Sequence, residues 1–212
     1  VHKAWDRGLR RWVAVKILLG TTNPQLVLRF RREAETAAAL QHANIVPIYD
    51  VGDSDGRPYL VMKHIEGSTL VGMSLTLEQS VQVILQAARG VAFAHEHNVI
   101  HRDLKPGNIM LDGSGHVYVM DFGLAKDLFG TPGLTAPGTV MGTPAFMPPE
   151  QAAGKVQQVN CSSDAYALGA ILYDLFTGRP PFRGSNILET IRQVIADPVP
   201  PPSTLRPGVP PA

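Results

Sequence analysis

The sequence has a single cysteine, no long apolar run and almost no net charge, and each of these shortages excludes a class of protein. Cys161 alone cannot form an internal disulfide, which favours a reducing compartment. No run of about 18 apolar residues and no signal-peptide pattern occurs. A net charge of +1 gives no basic field over the chain, so charge indicates neither nucleic acid nor a membrane surface as a partner. We expect the chain as given to be soluble, although a longer parent protein could carry a membrane span elsewhere.

The composition is nevertheless sufficient for a folded core. Hydrophobic residues make up 44% of the 212 residues, a length that suits one domain or two closely packed lobes. Thr76-Leu77-Glu78-Gln79 fits a capping box at the start of a helix with a stripe of apolar residues, namely Leu77, Val81, Ile84, Leu85, Ala88, Val91 and Ala92. A second, mostly apolar helix is predicted from Ser163 through Phe176, with Gly178 ending it. The proline-rich residues 197–212 are predicted to be extended or loosely attached.

Most of the chemistry lies in one polar stretch, His101-Arg102-Asp103-Leu104-Lys105-Pro106-Gly107-Asn108. Val99-Ile100 before it and Ile109-Met110-Leu111 after it are predicted to be short buried strands. Asp103 could accept a proton from an alcohol, while Asn108 and Asp121 offer the hard oxygen ligands that Mg²⁺ prefers. For Asp103 alone, a polar turn is the better interpretation. For the whole stretch with Asp121, catalysis is the better one.

Several segments in order along the chain resemble eukaryotic-type protein kinases, and their sequences are similar to those of the bacterial serine/threonine branch of that family. The segments are Val13-Ala14-Val15-Lys16, Glu33 on a predicted helix, residues 101–108, Asp121-Phe122-Gly123, Gly142-Thr143-Pro144 and Pro148-Pro149-Glu150. The resemblance implies an α+β, bilobal fold with a small antiparallel β-sheet lobe containing one helix and a larger, mainly α-helical lobe. It divides the chain into a partial N-terminal lobe at 1–65, a C-terminal lobe at 66–196 and a tail at 197–212.

The resemblance also implies an activity, the transfer of the ATP γ-phosphoryl group to serine or threonine hydroxyls of a protein. Asp103 would orient the hydroxyl and accept its proton, and Lys105 would neutralise charge on the transferring group. Asn108 and Asp121 would hold Mg²⁺ or Mn²⁺. Asp164 matches the aspartate that anchors the backbone of the catalytic loop in the family.

Lys16 matches the lysine that holds the ATP phosphates, and Glu33 matches its helix partner better than Glu35 does. Residues 63–67 resemble the hinge whose backbone binds adenine, where Lys63 departs from the more usual glutamate. A backbone contact does not depend on that side chain. The positions matched to nucleotide binding are Val1, Ala14, Lys16, Glu33, Met62, Lys63, Ile65, Met110 and Asp121.

The segment after Gly123 matches the activation segment of the family. Thr135 and Thr139 stand where phosphorylation could add charge opposite Arg102 and Lys126, although plain surface threonines are an equally good interpretation. Thr143 resembles the residue that, with Lys105, favours serine or threonine over tyrosine. Structural positions implied by the resemblance are Arg102, Phe122, Gly123, Glu150 and Asp164.

The resemblance begins after the family's glycine-rich loop and ends before its last helices, so we expect a chain cut at both ends. Glu150 is then expected to lack the arginine that pairs with its counterpart in the family. Two alternatives stay open: a weak or inactive kinase-like ATP-binding module, and a small-molecule phosphotransferase.

The expected partners are ATP and a protein with a serine or threonine acceptor, without nucleic acid and without membrane contact by this segment. The expected location is the cytoplasm, with any membrane anchor outside the segment. His95-Glu96-His97 is predicted to be a solvated helix end rather than a metal site, because side chains two positions apart on a helix point away from each other.

Overall fold

The structure, a computed structural model, describes residues 1–18, 24–54, 56–122 and 144–209. This part of the chain contains seven β-strands and five α-helices. The strands are β1 (His2–Asp6), β2 (Arg11–Ile17), β3 (Ile48–Ser54), β4 (Arg57–Lys63), β5 (Gly67–Thr69), β6 (Ile109–Asp112) and β7 (Val117–Val119). The helices are α1 (Pro24–Ala38), α2 (Leu77–Glu96), α3 (Pro149–Ala152), α4 (Cys161–Thr177) and α5 (Ile187–Ala196).

The first half of the chain builds an antiparallel sheet in the order β1-β2-β4-β3. The β1–β2 turn forms because the Asp6 carboxylate accepts the backbone N–H groups of Gly8 and Leu9, at 3.0 and 3.1 Å. Helix α1 packs against β3 and β4 and buries Phe30 and Ala34 there. The upper core, as we call this cluster, consists of Phe30, Ala34, Val46, Leu60, Met62, Ile65 and Tyr118.

The second half is mainly helical and encloses a separate, larger cluster. A small sheet, β5-β6-β7, packs with α2 and α4. The lower core, as we call this cluster, includes Ala87 and Val91 from α2, Ile109 and Val117 from the small sheet, and Ile171 from α4. A small sheet with one helix and a larger helical part, each with its own core, confirm the predicted α+β bilobal fold.

The helix ends follow the local sequence. Thr76 forms the predicted capping box with Gln79, since each side chain accepts the other residue's backbone N–H. Asn160 caps α4 in the same way with Ser163. Gly178 ends α4 at φ 75°, a left-handed conformation that glycine adopts at little cost.

Two local predictions about the region before the catalytic loop are wrong. Val99-Ile100 forms no strand, and the backbone N–H of Val99 instead donates to the Ala94 carbonyl oxygen at the end of α2, at 2.9 Å. The buried face of α2 is also rotated from the predicted stripe: Val81 and Leu85 are 45% and 42% exposed, whereas Ser80 and Gly90 are buried. A Cβ on Gly90 would lie 2.8 Å from the Asn44 carbonyl oxygen. The face of α2 that contains Gly90 is therefore buried because the backbone at Asn44 approaches it closely, which only glycine permits.

The proline-rich end is more firmly attached than predicted. Within residues 197–209, Pro202–Thr204 forms a 3₁₀ turn and Val209 is buried. Arg206 Nη1 donates to the Phe176 carbonyl oxygen at the end of α4, at 2.9 Å. Among the helices of the described residues, none combines the length and the apolar character needed to cross a membrane.

Candidate active site

Asp103 lies at the centre of the polar loop and is held on several sides. Its Oδ2 accepts hydrogen bonds from Lys105 Nζ at 2.7 Å and from Asn108 Nδ2 at 3.2 Å. Asn108 Nδ2 also donates to the Asp103 carbonyl oxygen at 2.8 Å. The structure therefore brings together the three predicted catalytic residues. The other carboxylate oxygen of Asp103, Oδ1, accepts no hydrogen bond from Lys105 or Asn108.

The backbone of this loop is fixed by a buried carboxylate on α4. Asp164 is 1% exposed, and its two oxygens accept the backbone N–H groups of His101 at 2.8 Å and Arg102 at 2.9 Å. A buried carboxylate is stable only when such donors compensate it. Arg102 has φ 66°, which is unusual for a residue with a side chain, and its bound N–H group helps to hold that conformation.

His95, which was predicted to be solvated, is a third hydrogen-bond donor to Asp164. His95 Nε2 lies 2.8 Å from Asp164 Oδ2, and its side chain is 18% exposed. His97 is exposed and bonds instead to the Phe93 carbonyl oxygen. The solvated helix end is therefore correct for His97 and wrong for His95. No local pattern points to His95, because its partner lies on another helix, 69 residues further along the chain.

His101 is fully buried and links the loop to β7. Its Nε2 lies 2.8 Å from the Met120 carbonyl oxygen, its Nδ1 accepts the Asp103 N–H at 3.3 Å, and its ring packs on Phe122 with centroids 4.7 Å apart. Burial lowers the pKa of His101 below its ordinary value of 6.5, although Asp164 nearby opposes this shift. The neutral ring with its proton on Nε2 satisfies both contacts, since Nδ1 must accept.

Lys16 on β2 faces Asp121, which lies two residues after the end of β7. Lys16 Nζ lies 2.7 Å from Asp121 Oδ1, so the predicted phosphate lysine and the predicted metal ligand form an ion pair. Asp121 has φ 62°, a second left-handed residue with a side chain in this site. Glu33 is half-buried on α1 and Glu35 is exposed. The pairing of Lys16 with Glu33 stays a prediction.

The residues predicted to hold a divalent cation fit that role. The backbone N–H of Met120 donates to the Asn108 carbonyl oxygen at 2.9 Å, which places the residue before Asp121 against Asn108. Asp121 Oδ1 is buried and makes no hydrogen bond of good geometry, despite its ion pair. The described residues contain no cluster of three or more histidine, cysteine, aspartate or glutamate side chains suited to a metal. One carboxylate and one amide suit Mg²⁺, which takes few protein oxygens together with phosphate oxygens.

The predicted adenine side of the site gathers around the upper core. Met62 and Ile65 are members of this core, and Ala14 and Met110 pack against it. Ala14 and Met62 are direct cross-strand partners on β2 and β4. Lys63 donates its backbone N–H to the Pro47 carbonyl oxygen at 3.0 Å. Val1 is 75% exposed and precedes β1.

Glu150, on the short helix α3, has a partner within the chain. The hydroxyl of Ser163 donates to its carboxylate, which joins α3 to the start of α4. The Glu150 carboxylate is therefore hydrogen-bonded within the chain, and the expected absence of its arginine partner stays a prediction. Gln151 Nε2 donates to the Arg102 carbonyl oxygen at 3.1 Å, a further contact to the catalytic loop that the sequence did not indicate. Gly123, Thr135, Thr139 and Thr143 lie outside the described residues.

Comparison with known proteins decides the family. A model of the protein kinase domain family matches residues 1–204. The chain belongs to this family. The kinase domain is 40% identical over 213 residues to serine/threonine-protein kinase PknB of Mycobacterium leprae and 42% identical over 214 residues to PknB of Mycolicibacterium smegmatis. Both alignments cover 95% of this kinase domain and 34% of the relative, so the chain spans about a third of the length of these curated relatives.

Solved structures support the same assignment of the kinase domain. The crystal structure of the Mycobacterium tuberculosis PknI kinase domain is similar with a TM-score of 0.73 and 25% sequence identity. The similarity covers 98% of this chain and 76% of that structure. The family uses ATP and a divalent metal ion.

Proposed function

We propose that this chain is the catalytic domain of a serine/threonine protein kinase, which transfers the γ-phosphoryl group of ATP to protein hydroxyls. The arrangement of Asp103 between Lys105 and Asn108, with the residue before Asp121 bonded to Asn108, carries the proposal. Relatives at about 40% identity bear the name of serine/threonine-protein kinases, which supports the same conclusion.

Asp103 is proposed to orient the acceptor hydroxyl and to take its proton. Two donors occupy its Oδ2, so Oδ1 is the oxygen that faces the hydroxyl in this proposal. Lys105 lies close enough to Asp103 to stabilise charge on the transferring phosphoryl group as well. Catalysis is then mainly a matter of position and charge, as expected for phosphoryl transfer.

Asn108 and Asp121 are proposed to hold the divalent cation, with Mg²⁺ preferred over Mn²⁺. When bound, the cation would neutralise charge on the phosphates. Lys16, with Glu33 as its predicted partner, is proposed to contact the nucleotide phosphates once the ion pair with Asp121 opens. The adenine would contact the hinge at Lys63 and Ile65, between side chains of Val1, Ala14, Met62 and Met110.

The proposal extends to the organisation of the domain. Most of the upper core comes from residues 1–65 and most of the lower core from residues 66–196, apart from Tyr118 in the first and Ala37, Leu40 and Ile45 in the second. This distribution supports a division near residue 65 into an upper lobe at 1–65 and a lower lobe at 66–196, followed by a tail at 197–212. Thr135 and Thr139 are proposed phosphorylation positions, and Thr143 a contact to the substrate. A cytoplasmic location fits the use of ATP, with any membrane anchor outside this segment.

The test is transfer of ³²P from ATP to a generic protein substrate in the presence of Mg²⁺. The chain should label serine and threonine but not tyrosine, as shown by phosphoamino-acid analysis. Asp103→Asn should abolish labelling, whereas Asp53→Asn, which alters an exposed hairpin aspartate, should leave it unchanged. Replacing Mg²⁺ with Mn²⁺ measures the metal preference.

The same assay can contradict the proposal. Labelling that persists in Asp103→Asn would assign the transfer to another residue or to a contaminant. A chain that binds ATP but labels no protein would instead be a kinase-like binding module. Transfer to a small molecule without transfer to protein would support the small-molecule phosphotransferase.

A further inference from the structure

Lys63 and Tyr118 connect the two sheets directly. Lys63 is the last residue of β4, and its Nζ donates to the Tyr118 hydroxyl at 2.9 Å. The ammonium also lies 4.6 Å from the centroid of the Tyr118 ring. A charged donor makes this a stronger bond than one between neutral groups.

Tyr118 is placed between the two cores by the alternation of side chains along β7. Val117 and Val119 point into the lower core, while Tyr118, on the opposite face, belongs to the upper core with Met62 and Ile65. The Tyr118 side chain therefore extends from the small sheet into the upper core, where it is buried with Met62 and Ile65. Lys63 binds the polar end of that side chain.

A backbone route runs parallel to this pair. The Lys63 N–H donates to the Pro47 carbonyl oxygen, and the N–H of Val46 donates to the Val119 carbonyl oxygen, both at 3.0 Å. Asp121 follows β7 by two residues. The hinge end of β4 and the strand that leads to the metal-binding carboxylate are thus joined by a backbone connection and by one side-chain pair.

We propose that Lys63 and Tyr118 are positioning residues that hold the adenine end of the nucleotide site at a fixed distance from its metal end. This inference rests on the proposed function, because it assumes that ATP lies between the hinge and Asp121. The lysine side chain, which departs from the glutamate usual in the family, acts on nucleotide binding through Tyr118 and needs no contact with the nucleotide.

The two ends of the site give the inference a specific signature. MgATP contacts the hinge and the carboxylate end together, so its affinity depends on the distance between them. Adenosine contacts only the hinge side, so its affinity does not. Losing the pair should therefore weaken MgATP and leave adenosine nearly unchanged.

The experiment measures equilibrium binding of MgATP and adenosine by calorimetry. Lys63→Met removes the ammonium and keeps most of the side chain's length, and Tyr118→Phe removes only the hydroxyl. Each should raise the Kd for MgATP about five- to tenfold, in the range expected for losing one hydrogen bond. The Kd for adenosine should change less than about twofold. The double variant should have about the same Kd for MgATP as whichever single variant binds MgATP more weakly. Lys155→Met, at an exposed lysine in the lower lobe, should change neither affinity.

Each other outcome overturns the inference. Equal losses for MgATP and adenosine would mean that the pair shapes the hinge itself. Unchanged MgATP affinity, or additive losses in the double variant, would mean that the pair does not act as a unit. If Lys63→Met fails to fold, Tyr118→Phe carries the test alone. If the unaltered chain binds no MgATP, the proposed function fails, whereas normal binding with unaffected variants rejects this inference alone.

Discussion

The catalytic loop and the nucleotide side of the site are held in different ways. In the loop, Asp103 is bonded through its backbone N–H, its carbonyl oxygen and its carboxylate, and Asp164 fixes the two preceding residues. On the nucleotide side, Lys16 and Asp121 hold each other in one ion pair. The comparison indicates that the chain itself sets the geometry of the loop, whereas the proposed binding of a nucleotide requires the Lys16–Asp121 pair to open.

The largest expected effect is a loss of transfer, which should distinguish the role of Asp103 in the catalytic loop from that of Asp121 on the nucleotide side. Asp103→Asn and Asp121→Asn should each reduce single-turnover transfer by about three orders of magnitude or more, equivalent to about 4 kcal/mol of barrier. Only Asp121→Asn should also weaken MgATP binding, because Asp103 is assigned to the hydroxyl and Asp121 to the metal. Calorimetry measures the binding, with Asp53→Asn as the matched control. Equal loss of MgATP affinity in both variants would contradict the division.

The next effect concerns the support of the loop. Asp164→Asn replaces one acceptor oxygen with a donor that faces a donor, so it should lower the free energy of unfolding by about 2–3 kcal/mol. Urea unfolding measures it. Asp174→Asn, on the same helix, is the control: burial raises the pKa of that carboxyl, so a neutral amide there should cost little. A similar loss in both variants would show that any aspartate on α4 matters equally.

A smaller effect should follow from removing the third donor to Asp164. His95→Ala should lower the transfer rate about tenfold, because the carboxylate that aligns the loop loses one of its contacts. The KM for ATP should be unchanged, since the nucleotide side is held separately. His97→Ala is the matched control two residues away. A raised KM with an unchanged rate would contradict the positioning role of His95.

The smallest effect is a pH dependence of stability. The pKa of His101 is lowered in the folded protein, so below about pH 6.5 the unfolded chain binds a proton that the folded chain does not. Stability should therefore fall as the pH falls below about 6.5, and His101 should contribute to this fall. Urea unfolding at about pH 6.5 and about pH 5.5, compared between the chain and its His101→Gln variant, measures this contribution. His97→Gln serves as the control, and an identical pH dependence with and without His101 would contradict the assignment.

The sequence was sufficient to predict features that depend on neighbouring residues. The capping box at Thr76 and the end of α4 at Gly178 each arise from local hydrogen bonds or from one backbone conformation. The close grouping of Asp103, Lys105 and Asn108 was also predictable, because the three residues lie in one short loop. Each of these features is determined by residues that are close together in the sequence.

Features that depend on distant partners were not predictable in this way. His95 and Asp164, and Lys63 and Tyr118, meet only after folding, and nothing in the sequence around His95 or Lys63 distinguishes it from a solvated residue. The buried face of α2 was misjudged for the same reason, since the approach of the Asn44 backbone to Gly90 favours small residues over the apolar stripe.

The most direct test of the difference between the two regions is hydrogen exchange with and without MgATP. The backbone amides of His101 and Arg102 should exchange slowly in both states, because Asp164 binds them in the absence of a ligand. Protection of the segment around Asp121 should increase when MgATP binds. Rapid exchange of His101 and Arg102 without the nucleotide would contradict a catalytic loop that the chain itself holds in place.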